Sequence, residues 1–398
     1  MSRSVPRRRA ARPSRRRGGR RTPVDPAPVE ALPAPVDRPA PEPAPGPVAG
    51  PEPTPAVEPV RAVGLGPRRL TGREQLARSR WPFVLWSAVV LAGVGALVSC
   101  LLEVGPGWLC SAGAVTVATA YSWALAVRSG GRPVVVGLLA LVLGLAAVLS
   151  GDESLRTGAA VLTCVVASVF AVMATVPAVR FIGAVREVVI AVVLAAVGAM
   201  ATVGFAPVVT VVRFEYATLG LSLLGSFALV YRLGAGLHGL GRRGLVIVLL
   251  GTGVLAITLA YAELLRRYGT PGLVGNLLDV VVWSRDNLGA FPRPLETVLG
   301  IPALAWGVHM RARRRQGWWV CAFGVAATVS VAQALVNPAV ALTESVLAVT
   351  YGAIVGLAIG YVVIRIDLAF TAPRGRRGRR AEEAAALRPE PSRTRALL

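Results

Sequence analysis

Lysine is absent from this 398-residue chain, and all 43 of its basic residues are arginine. Together with the abundance of Ala, Gly, Val and Pro, this is the mark of a GC-rich bacterial coding sequence. The choice of Arg over Lys therefore carries no chemical information. Histidine occurs only twice, at His238 and His309, and cysteine four times, at Cys100, Cys110, Cys164 and Cys321. No CxxC pair is present and the histidines are far apart in sequence, which argues against a zinc or haem site. No metal and no cofactor is expected.

Nucleotide motifs are equally scarce. Walker A is absent, and Gly234-x-Gly236-x-x-Gly239 matches GxGxxG only formally, since it ends an apolar segment and follows no strand. An intramembrane protease would need Ser, His or Asp within the apolar segments, yet both histidines fall at segment ends. The chain reads as a non-enzyme more readily than as an enzyme. Charged residues are few, at 16%, against 54% hydrophobic. A mean hydropathy of +0.60 excludes an ordinary soluble domain.

What is present is a series of apolar segments separated by short charged turns. A bilayer core of about 30 Å needs roughly 20 residues per helix. Ten segments approach that length: 82–102, 109–127, 133–150, 157–178, 188–209, 216–233, 244–264, 295–310, 317–336 and 342–364. Their connections alternate in charge. One set holds Arg128, Arg132, Arg180, Arg186, Arg232, Arg242, Arg243, Arg311 and Arg313 to Arg315, with Glu187 as its one acid. The other holds Glu103, Asp152, Glu153, Glu215, Glu263, Asp279, Asp286, Glu296 and Glu344 against Arg156, Arg213, Arg266, Arg267, Arg285 and Arg293. Positive connections stay in the cytoplasm. The expected fold is an all-α polytopic bundle of ten transmembrane helices, in a bacterial cytoplasmic membrane, with both tails cytoplasmic and disordered.

Three domains follow: an arm over 1–80, a membrane domain over 81–366 and a basic tail over 367–398. The arm begins with an Arg block and continues as a Pro/Ala-rich stretch that cannot bury a core. Thr71 and Glu74 form a capping-box pattern for a short juxtamembrane helix over 71–80. Arg68, Arg69, Arg73, Arg78 and Arg80 suit anionic lipid headgroups, and a cytoplasmic protein could meet the arm. Nucleic acid is the less economical reading of the net charge of +22, because 17 of the arginines lie in residues 1–80 beside the first span. Residues 270–289 carry Asn276 and Asp279 on one face and are expected to lie on the outer surface as an amphipathic helix. The eighth segment is short, opens near Pro294 and Glu296, and carries Gly300 and Pro302, so it should kink.

No segment has a charge at its centre. Glu103, Glu263, Glu296 and Glu344 lie near the outer boundary and could line a vestibule with Gln333, Asn337 and Arg213. The plainer alternative is interfacial acids in contact with water. Gly352, Gly356 and Gly360, four apart, point to close helix contact within the chain or with a second subunit. Cys100 and Cys110 flank a tight turn where a disulfide is geometrically possible, although packing as two small apolar residues is the favoured expectation. The leading function is a non-enzymatic envelope scaffold or interaction subunit. A permease for a small or amphiphilic solute and an outer-leaflet lipid-linked transferase are the alternatives.

Overall fold

The computed structural model describes residues 81–397, except 209, 236, 269–270, 314–316 and 372–389; within 234–243, 262–278 and at 247, most side chains are also left out. The arm, its juxtamembrane helix, most of the basic tail, the GxGxxG match and the side chains of Arg242, Arg243, Arg266, Arg267, Asn276, Arg314 and Arg315 therefore lie outside the described residues.

Among the described residues every regular element is helical. The α-helices in chain order are α1 (Trp81–Leu101), α2 (Trp108–Arg128), α3 (Pro133–Leu149), α4 (Glu153–Met173), α5 (Phe181–Gly204) and α6 (Val211–Val230). They continue as α7 (Leu237–Tyr268), α8 (Pro271–Leu288), α9 (Ile301–Arg311), α10 (Gly317–Ala322), α11 (Val325–Val336) and α12 (Leu342–Thr371). Two π-helical turns, Tyr231–Ala235 and Leu295–Gly300, precede α7 and α9. Eight stretches are long and apolar enough to cross a membrane, with Gly317–Val336 taken as one. Pro133–Leu149 is apolar but shorter, and so is the π-then-α run from Leu295 to Arg311.

Helix ends follow local chemistry. Pro133 opens α3, where its missing N–H costs nothing. Asp152 caps α4, accepting from the Ser154 and Leu155 amides at 2.7 and 3.1 Å. Those two amides hold its carboxyl below the ordinary range. After α2 the chain closes with Gly130 at φ +68°, and the Gly131 amide bonds back to the Ala126 carbonyl at 2.8 Å. The turn between α1 and α2 is left-handed at Glu103 and Gly105. Its flanks are joined by a Cys100–Cys110 disulfide with a Cα–Cα distance of 5.4 Å. This corrects the expectation that the two cysteines serve only as small apolar residues: the tight turn brings their backbones within bridging range.

Burial runs opposite to that of a water-soluble protein. The α1 window has a mean hydropathy of 2.3 and only 17% of it is buried, whereas Gly317–Val336 has 1.8 and is 89% buried. The bundle thus leaves many of its Leu, Val and Ile on the outside. Leu85 and Leu91 on α1, Leu138 and Leu139 on α3, Leu249 and Ile257 on α7, and Ile354 and Val362 on α12 are all exposed. Apolar surface on that scale needs lipid as its solvent.

Inside, α1 to α5 share a core around Tyr121 and Phe170, whose rings lie 5.1 Å apart. Its polar tips are satisfied: Trp86 donates to the Ala120 carbonyl at 2.9 Å and the Tyr121 hydroxyl to the Leu194 carbonyl at 3.1 Å. A second core surrounds α9, α10 and α11 with Ile301, Leu304, Val308, Trp318, Trp319 and Val325. Residues Phe323 and Gly324 tighten into i→i+3 bonds and separate α10 from α11, a break the continuous apolar run of 317–336 does not announce. The absence of a side chain at Gly324 allows this close approach, since a Cβ there would sit 2.8 Å from the Cys321 carbonyl oxygen and 2.9 Å from Leu304 Cδ1.

Helix α9 is held between two glycine contacts. On one side a Cβ at Gly300 would lie 2.7 Å from Ala327 Cα, and one at Gly307 would lie 2.6 Å from the Cys321 amide nitrogen. On the other, added carbons at Gly352, Gly356 and Gly360 would meet Glu296 Cδ at 3.0 Å, Ile301 Cβ at 2.7 Å and Ala305 Cβ at 3.2 Å. The ladder on α12 thus faces another element of the same chain. Gly300→Ala should overpack this contact and cost about 1–3 kcal/mol. Gly220→Ala, where nothing lies within 4 Å, should not destabilise. Thermal unfolding of the two variants in detergent checks the difference; equal midpoints would contradict it.

Candidate functional site

Among the described residues, the buried charged side chains Arg128, Glu187, Glu296 and Arg311 lie towards the two ends of the bundle. At the acid-bearing end, the first residues of the π-helical turn bring Arg293 and Glu296 against α6, α11 and α12. Arg293 faces Glu215 at 3.8 Å. Gln333 of α11 donates to the Glu215 carbonyl at 3.0 Å and to the Thr218 hydroxyl at 3.2 Å. Burial draws the Arg293 guanidinium below its ordinary pKa, and the charges of Glu215 and Glu296 oppose that. Glu296 itself is wholly buried, and neither carboxyl oxygen has a hydrogen-bond partner among the described residues. The π-helical turn, Thr297 and the bare backbone of Gly352 enclose it. A side chain at 352 would fill that space, so the glycine serves the carboxyl as well as the helix contact.

The other expected vestibule residues separate. Glu344 pairs with Arg285 at 2.9 Å, tying the start of α12 to the end of α8. The Tyr351 hydroxyl donates to the Leu288 carbonyl at 2.9 Å beside it. Asn337 ends α11 and accepts from the Ala339 amide at 3.0 Å. Glu103 is exposed in the α1–α2 turn, Arg213 is exposed on α6, and Glu263 is half-buried on α7. Of the expected set, Glu296 and Gln333 therefore share one cluster, which also takes in Glu215, Thr218 and Arg293.

The Arg-bearing end holds a second cluster that sequence reasoning treated only as topology signals. Arg128 ends α2 and Arg311 ends α9, and both side chains are almost fully buried. The bundle fixes each one. Arg128 donates through Nε to the Met173 carbonyl at 2.9 Å and through Nη2 to the Thr175 carbonyl at 3.4 Å. Arg311 donates to the Thr175 hydroxyl at 2.8 Å and its carbonyl at 3.0 Å, and stacks 3.5 Å above the Trp318 ring. Two guanidinium groups thus converge on one carbonyl oxygen. Beside them Glu187, fully buried at the start of α5, accepts from the Val176 amide at 2.9 Å and from Arg186.

Residues 390–397, part of the tail expected to be disordered, instead dock on this cluster. The Glu390 carboxylate meets Arg311 at 2.6 Å, and Arg393 donates to both oxygens of Glu187 at 2.9 Å. Arg128 donates through Nη1 to the carbonyls of Ser392 and Arg395, both at 2.9 Å, and of Pro391 at 3.4 Å. The Leu397 amide returns a bond to the Arg128 carbonyl at 2.9 Å. The sequence reading puts Arg128, Glu187 and Arg311 in the connections, each one residue beyond an apolar segment, and nothing local marks them as buried. Nothing in the tail's composition announced where it docks.

Glu187→Ala should cost about 1–3 kcal/mol by orphaning the Val176 amide, while Glu187→Gln, which keeps an acceptor, should cost less. Arg186 adds little, being largely exposed. Thermal unfolding in detergent separates the two, and equal losses would contradict the acceptor role. Compared with protein-family models, curated proteins and solved structures, the chain finds no match.

Proposed function

We propose that the chain is a permease of a bacterial cytoplasmic membrane, crossing it ten times with both termini in the cytoplasm. It would carry a small solute with a proton at Glu296. The threading rests on the alternation of Arg-bearing and acid-bearing ends. The Cys100–Cys110 disulfide at the acid-bearing end suits an oxidising exterior. Pro133–Leu149 and the Leu295–Arg311 run complete the count as short crossings, and α8 lies along the outer surface.

The observation that carries the transport reading is Glu296. A carboxyl sealed among helices without a hydrogen-bond donor is costly to keep and marks ion or proton pathways. It sits in a π-helical turn, a distortion frequent at functional sites. It also adjoins two interrupted helical runs, 295–311 and 317–336, side by side in the bundle. Interrupted helices at the centre of a bundle are how many transporters build an ion site. The scaffold reading leaned on an Arg-rich arm that lies outside the described residues. The transferase reading needs its acids along one groove, whereas Glu103 is exposed in the α1–α2 turn and Glu344 pairs with Arg285 outside the Glu296 cluster.

Purified protein in vesicles loaded with a pH-sensitive dye, under a potassium diffusion potential, tests the role of Glu296. The wild type should pass protons faster than empty vesicles, and Glu296→Gln should fall to the empty-vesicle rate while still folding. Equal rates for wild type and Glu296→Gln, or none above empty vesicles, would remove the reading.

A further inference from the structure

We infer that the pocket formed by Arg128, Arg311 and Thr175 is a binding site for a phosphate-bearing anion, and that residues 390–397 occupy it as an intramolecular competitor. The inference does not depend on Glu296 or on transport.

The site is built without the tail. Arg128 keeps its bonds to the Met173 and Thr175 carbonyls, and Arg311 keeps Thr175 and its stack on Trp318, whatever lies beyond. Both guanidinium groups are therefore pre-positioned by residues of the bundle, which lowers the ordering cost of binding. Their remaining donors, Nη1 of Arg128 and Nη2 of Arg311, point into the space that the tail fills. The buried carboxylate Glu187 is held by the Val176 amide and Arg186 of the bundle, and also by Arg393 of the tail. With the tail withdrawn, Arg311 would lose the Glu390 carboxylate and Arg128 its carbonyl acceptors from Pro391, Ser392 and Arg395, a costly arrangement that favours capture of an anion.

What fills it now imitates such an anion. Glu390 supplies a carboxylate to Arg311, while the carbonyls of Pro391, Ser392 and Arg395 supply oxygens to a single nitrogen of Arg128. Several oxygens around two convergent guanidinium groups is the pattern a phosphate meets, with bidentate, charge-assisted bonds. Part of the tail's hold comes from main-chain oxygens on Arg128. Only Glu390, Arg393 and Leu397 engage the bundle through side chains, Leu397 packing against the core. Residues 372–389 tether the segment to α12, so tail and ligand exclude each other by simple competition.

The test uses the full chain and a chain ending at residue 388, both in nanodiscs. One arm titrates inorganic phosphate in zwitterionic phosphatidylcholine discs; the other compares phosphatidic acid discs with phosphatidylcholine discs. A synthetic peptide of residues 389–398 serves as competitor throughout. The shortened chain should bind one phosphate source about tenfold or more tighter than the full chain. The peptide should displace that source, and Arg311→Gln in the shortened chain should abolish binding. Binding in the first arm alone identifies a soluble phosphate, and loss of peptide binding only in phosphatidic acid discs identifies a lipid headgroup. If the shortened chain folds poorly, Glu390→Gln in the full chain keeps the carbonyl contacts and should still raise phosphate affinity. Peptide binding that neither source weakens, or no gain in either variant, would overturn the inference and leave the pocket as a seat for the tail alone.

Discussion

A guanidinium group cannot be left in hydrocarbon without acceptors, and that constraint organises this molecule from end to end. It keeps arginine at the helix ends rather than in their middles. It also determines what must gather around Arg128 and Arg311 once packing has drawn them inside: carbonyls from the end of α4, the Trp318 face and a carboxylate from the tail. The same physics at the opposite end produces a different result. There the paired charges Arg285–Glu344 and Arg293–Glu215 remain partly exposed, and Glu296 alone is sealed away.

Between the two ends, contact depends on removing side chains rather than on fitting large ones together. Lipid is as apolar as leucine, so helices gain little from burying leucine against each other. Close backbone approach gains dispersion contacts instead, which is why glycines flank α9 on both sides and the bulkier Leu, Val and Ile turn outward. Gly352 joins this packing to the buried acid, since the gap it leaves is the wall of the Glu296 pocket.

Much of the fold was legible in residues. Pro133, Asp152 and Gly130 each mark a boundary with a mechanism behind it, and the Gly352–Gly360 spacing named the face of α12 that touches a neighbour. Three features were not legible. The α10–α11 break falls at Phe323 and Gly324, inside a uniformly apolar run that conceals it. Burial of Glu296 depends on α6, α11 and α12 closing over a residue that sequence placed at a wet boundary. Docking of Glu390 and Arg393 pairs residues about 80 and 200 positions from their partners, and no local pattern reports contacts of that range. Glu103 shares the charge of Glu296 and the expected outer boundary but not its surroundings, because sequence gives a position and tertiary packing decides what covers it.

The account stands on the two ends of the bundle facing opposite sides of a membrane. Single cysteines at Ser150→Cys, beyond α3, and Thr394→Cys, in the docked tail, test this with a membrane-impermeant maleimide on intact spheroplasts. The native free thiols, Cys164 and Cys321, are buried. Position 150 should label at once and position 394 only after permeabilisation. Labelling of position 394 from outside, or of both together, would contradict the threading and the separation of charge on which everything else rests.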